Sequence, residues 1–167
     1  MNVTTSDIIL FAHASFGVLG TILAVWVFVE TLNAREQNAQ RIRRAALSVT
    51  LCMGAAWIFG GYWYLHFYPA ERRMILAGPW PLAHSLFMET KEHLFLTLLI
   101  LSLYLPIAAA DTLHTNASAR RMVLSVAMLI VLTGMVLEGS GAIIDHGVKV
   151  ALLRPVTKTA AAQGVAK

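Results

Sequence analysis

Charge is scarce in this chain. Lys, Arg, Asp and Glu make up 13% of its 167 residues, against about 25% in a typical soluble domain. Hydrophobic residues make up 57%, and the mean hydropathy is +0.66. These values exclude a disordered chain and argue against an ordinary water-soluble domain. Cysteine is almost missing: Cys52 stands alone, so no disulfide can close within the chain and a disulfide scaffold is excluded. Alternating stretches are missing too. A membrane-barrel strand alternates over about ten residues, whereas the apolar runs here are apolar all round and far longer. Helix is the form that satisfies such a backbone in lipid. The length suits one domain, and no internal repeat appears beyond four similar runs.

A bilayer core about 30 Å thick takes roughly 20 apolar helical residues. Four segments meet this, at about 8–32, 45–68, 82–110 and 122–146. Ser6 and Asp7 are candidate caps for the first, Pro69 a stop for the second, and Pro81 suits the first turn of the third. The first segment is too long for a signal-peptide core and lacks a basic start and a small-x-small site, so it reads as a retained span. The expected fold is an all-α integral membrane four-helix bundle of antiparallel up-down topology over residues 1–156, with a frayed tail at 157–167. Arg35, Arg41, Arg43 and Arg44 follow the first span, and Arg120 and Arg121 the third. The positive-inside rule makes those loops cytoplasmic and puts both termini of an inner-membrane, multi-pass protein on the non-cytoplasmic side. The net charge of +4 sits in membrane-flanking loops and calls for no nucleic-acid partner.

Ionisable residues within a span are costly and usually functional. Counted from the cytoplasmic end of each span at 1.5 Å per residue, His13, His66, His93 and Glu138 fall near one layer of the outer leaflet. Glu89 lies one turn further out, and Asp145 and His146 at the surface. Glu89 and His93 share a helix face. His13, Gly17, Gly20 and Ala24 form a small-residue face that admits a neighbouring helix or a flat cofactor, and Phe59, Trp63 and His66 an aromatic one. Glu138 follows sixteen residues, Met122 to Leu137, whose only polar members are Ser125 and Thr133, and as a structural residue it would need a buried partner such as His93 or Lys91. Lys91 and Glu92 otherwise read as solvated headgroup residues. Cys52 reads as packing, His114 as solvated, and Trp80 as interfacial.

Three chemistries fit this layer. A b-type haem would take axial imidazoles from two helices, His13 and His66 first, with His93 and His146 as replacements, and Glu89 and Glu138 orienting imidazoles or taking up protons. A non-haem Fe, Zn, Mn or Cu site would use Glu89, His93 and Glu138 completed by His13 or His66. A metal-free reading makes the charges a proton or ion path. The plan resembles small four-helix membrane cytochromes b, whose spans bring histidines near a membrane face. The leading expectation is electron transfer through one haem b near the outer face, by a relay or anchor subunit rather than a complete enzyme. Its partners would be the lipid bilayer, other membrane or periplasmic redox subunits and a quinone.

Overall fold

In a computed structural model, residues 4–164 are described, with side chains through Leu153. Every regular element is helical: α1 (Thr5–Leu32), α2 (Glu36–His66), α3 (Tyr68–Ala77), a π-helical segment (Ala83–Met88), α4 (Glu89–Ala108) and α5 (Ala117–Gly164). Among the described residues, four stretches are long and apolar enough to cross a membrane: α1, α2, the π segment with α4, and α5 to Leu153. Large apolar side chains such as Phe11, Leu51, Ile58, Ile107 and Met135 lie exposed around the bundle, as a lipid-facing surface requires. The chain is thus a multi-pass membrane protein.

The helix ends differ from expectation in ways that move the site. Thr4, not Ser6 or Asp7, caps α1: its hydroxyl accepts from the Asp7 N–H at 3.3 Å, and Asp7 Oδ2 accepts from the Thr4 N–H at 2.9 Å. The larger correction is the start of α2 at Glu36 rather than near position 45. The polar stretch at 36–44 is rich in helix formers. It is anchored by Asn38, whose Oδ1 accepts from the Arg35 N–H at 2.7 Å and whose Nδ2 donates to Glu30 Oε2 at 2.9 Å. Pro69 does not stop α2. That helix ends at His66, and Pro69 sits in the first turn of α3, where its missing N–H costs nothing. The tail expected from Thr157 overlaps the end of α5, and residues 165–167 lie outside the described ones.

Contacts between spans run in opposite numerical senses. Gly17 approaches Glu138 while Thr21 approaches Gly134. Thr50 donates to the Ser102 carbonyl, while Arg43 donates to those of Ala109 and Ala110. One apolar core, including Val27, Val49, Met53, Leu105 and Ile130, fills the middle and the end near Arg43. A second cluster, Trp63, Tyr68, Ile75, Ala83, Met88 and Ile144, closes the opposite end under α3. The candidate site lies between them.

Candidate functional site

His13 fixes the level of the site. Its Nδ1 donates to the Ala56 carbonyl at 2.8 Å, since a carbonyl can only accept. A Cβ at Gly60 would overlap the imidazole, so glycine there is what lets the ring lie against α2. His13 is 19 residues before Leu32 and Ala56 is 20 residues after Glu36, so the two helices match when α2 is counted from its true start.

Opposite His13 stand Lys91 of α4 and Glu138 of α5. With Thr21, they line a small internal cavity of about 20 Å³ bounded also by Phe95 and Leu98. That volume suffices for about one water molecule. Lys91 and Glu138, of opposite charge when ionised, face one another across this space. Among the described residues, Lys91 Nζ makes no ion pair within 4.0 Å, and the ion pairs found are Arg41–Glu30 and Lys149–Asp145. A Cβ on Gly17 would come within 2.5 Å of Glu138 Oε1, and one on Gly141 within 3.1 Å of Lys91 Nζ. Small residues on α1 and α5 thus make room for the charged groups, as small faces do in membrane bundles.

Lys91 reverses an expectation. It turns inward because Lys91, Phe95, Leu98, Ser102 and Leu105 share one α4 face by their 4, 3, 4, 3 spacing. Leu98, Ser102 and Leu105 of that face are buried. His93, two residues on, faces away from it and is exposed, as is Glu89. His93 Nδ1 donates to the Glu89 carbonyl at 2.7 Å. His66 is also exposed, stacked on Tyr62 at 4.1 Å, with Nδ1 on the Tyr62 carbonyl at 2.9 Å. His66 lies ten residues beyond Ala56, about 15 Å along the helix, so His13 and His66 do not share a level. Counting from position 45 hid that offset. His146 is exposed, edge-on to Trp80 at 5.6 Å. The bundle therefore gathers His13 and Glu138 with Lys91, and leaves His66, His93, His146 and Glu89 at its surface. Among the described residues, no three His, Cys, Asp or Glu side chains are grouped so as to hold a metal ion.

Two further spaces lie near the cluster, one of them sharing His13 and Lys91 with it. A pocket of about 220 Å³ is lined by the polar groups of His13, Lys91 and Glu92 and by Trp57, Trp63, Tyr64 and Phe95. A second, of about 340 Å³ towards α3, shares Tyr64 and Glu92 with the first and adds Glu89, Arg72 and His84.

His84, which shares a helix face with Met88 by its spacing but drew no role from the sequence, is buried. Arg72 Nε donates to its Nε2 at 2.7 Å, so Nδ1 carries the proton and donates to the Tyr68 hydroxyl at 2.8 Å. Burial, the neighbouring Tyr64 and the charge of Glu92 push the Tyr68 hydroxyl well above the usual phenol range. The π segment turns His84 in with Ala83 and Met88, all three buried. Its wide turn is closed by the Glu89 N–H on the His84 carbonyl, a geometry met mostly as single turns and frequently at functional sites. The available signal was the run of Tyr68, Arg72 and His84 around Pro79 and Pro81.

The chain matches no protein-family model, no curated protein and no solved structure. The functional reading rests on its own residues.

Proposed function

We propose that the protein is an accessory membrane subunit that takes up protons from the non-cytoplasmic side into the His13–Lys91–Glu138 cluster. The observation that carries this reading is the arrangement of three ionisable groups, from three helices, around a space for one water with no direct ion pair between Lys91 and Glu138. A proton can then pass between the groups through that water, and neither partner is locked by the other. Exposed Glu89 and Glu92 border the outer pocket and Tyr64 links it to the inner one, which gives an entry route. Beyond Glu138 the way toward Arg43 is closed by apolar packing of Leu98, Leu105 and Ile130. Thr50 and Ser102 there spend their hydroxyls on backbone carbonyls. The cluster is thus a one-sided station, suited to loading a proton that a partner subunit consumes. The arginines at 35–44 and 120–121 support a cytoplasmic Arg43 end.

The test is infrared difference spectroscopy of reconstituted protein on a change of pH. A carboxyl band should appear that vanishes in Glu138→Gln and shifts in Lys91→Met. A spectrum identical in wild type and Glu138→Gln would overturn the reading.

The second reading is electron transfer through haem b, with membrane or periplasmic redox subunits and a quinone as partners. One observation favours it: a ligating imidazole usually donates its other N–H to a carbonyl or carboxylate, as His13 does to Ala56. This reading expects a purified red protein whose Soret and α bands are lost in His13→Leu, and a colourless preparation contradicts it.

A further inference from the structure

The 220 Å³ pocket is a second feature with its own chemistry. Helices α2 and α4 are tied near one end by Arg43 and midway by Thr50. Beyond Thr50, toward α3, the pocket lies between them, and its α2 wall is a shelf formed by Ala56, Gly60 and Gly61. Gly61 faces open space: a Cβ built there meets nothing within 4 Å. Trp57, Trp63, Tyr64 and Phe95 supply flat apolar walls, and such faces stack on planar rings. Two of the polar groups lining the pocket, on His13 and Lys91, are unspent. His13 uses Nδ1 on Ala56, leaving Nε2 as an acceptor, and among the described residues neither Nε2 nor Lys91 Nζ makes a hydrogen bond within the protein. Neither atom is sealed away from a neighbour the size of water, since among the described residues the one buried side-chain polar atom without a partner is Thr31 Oγ1. A hydrophobic pocket with a few convergent polar groups is the usual form of a small-molecule site.

We infer that this pocket binds the head ring of a membrane-soluble quinone or quinol entering from the bilayer. A ring carbonyl accepts from Lys91 Nζ, and in the reduced ring a hydroxyl donates to His13 Nε2. The glycine shelf and Phe95 flank the ring faces, and Trp57, half exposed, stands at the lipid side. An acyl chain would leave His13 Nε2 and Lys91 Nζ unpaired, and a charged headgroup would meet mostly apolar wall. This is a statement of binding alone; it shares His13 and Lys91 with the proposed proton cluster and makes no use of the Glu138 carboxyl.

The test is titration of the wild-type protein in phosphatidylcholine nanodiscs with decylubiquinone, read by quenching of tryptophan fluorescence above that of protein-free controls and of a Gly61→Phe variant. Gly61→Phe fills the pocket from a position with free space, so the fold should hold. Gly139→Phe is the matched control, because a Cβ there also meets nothing within 4 Å and Gly139 is exposed on α5, outside the pocket. Expected are saturable quenching in wild type and Gly139→Phe, and at least tenfold weaker binding in Gly61→Phe and His13→Leu. Absence of saturable quenching in wild type, or equal binding by Gly61→Phe, would overturn the inference. Loss of the Glu138 infrared band with ring binding intact would count against proton uptake and not against this site.

Discussion

Tyr68 and Arg72 hold the two nitrogens of His84 between them, so each partner has a separable effect. Tyr68→Phe keeps the ring volume and removes the acceptor, leaving a buried Nδ1–H unpaired at a cost of about 1–3 kcal/mol. Equilibrium unfolding in mixed micelles should show that loss, and an unchanged midpoint would mean His84 finds another partner. Lys91 and Glu138 should be coupled in a different way. Lys91→Met leaves Glu138 without its counter-charge, Glu138→Gln leaves Lys91 without its own, and the double variant removes both charges. A double-mutant cycle on unfolding should give a coupling of about 1 kcal/mol or more; additive single effects would mean that the two side chains ignore each other. At this scale the sequence was legible where a residue had no apolar alternative. Glu138, after sixteen nearly all-apolar residues, had to face inward, and Lys91 was one of two partners it could take. His66 and His93 were less legible, because an imidazole near a helix end is equally at home inside and at the rim.

At the scale of elements, α2 decides which levels meet. Its start at Glu36 sets Ala56, and not His66, beside His13. A polar, arginine-rich stretch reads as loop when spans are counted by hydropathy, yet it continues as helix because its side chains cap and pair at the membrane edge. The π segment was likewise illegible, since no residue pattern distinguishes a five-residue backbone step from a four-residue one. Helix-to-helix approach, by contrast, was visible in the glycines of α1. Gly60→Leu should push His13 off α2 and destabilise the bundle by about 1–3 kcal/mol. Gly54→Leu, six residues earlier with nothing within 4 Å of its Cβ, should change stability by less than about 0.5 kcal/mol. Thermal unfolding of the two variants separates them, and equal effects would mean that glycine at position 60 has no packing role.

At the scale of the whole molecule, the fold class followed from composition and run length, whereas the site depended on how four helices are staggered. The α3 end adds a pH dependence. Burial, reinforced by the nearby Asp145 carboxylate, holds the Glu71 carboxyl above the ordinary glutamate range. The folded protein therefore binds that proton more tightly than the unfolded chain does. The stabilisation is complete below the ordinary glutamate pKa and is lost as pH rises through the raised one. Melting temperature in nanodiscs should fall across that interval in wild type and fall less in Glu71→Gln; parallel curves would remove Glu71 from the account. The central claim is that water reaches the His13–Lys91–Glu138 cluster from the α3 end and not from the Arg43 end. Its most direct test is side-specific labelling of Lys91→Cys in a Cys52→Ala background, in sealed vesicles, with a charged, membrane-impermeant thiol reagent. Pro79→Cys and Thr115→Cys, each the single cysteine of its own variant, serve as markers for the two ends. The account predicts that Lys91→Cys reacts from the side that labels Pro79→Cys, and reaction from the Thr115→Cys side, or from neither, would contradict it.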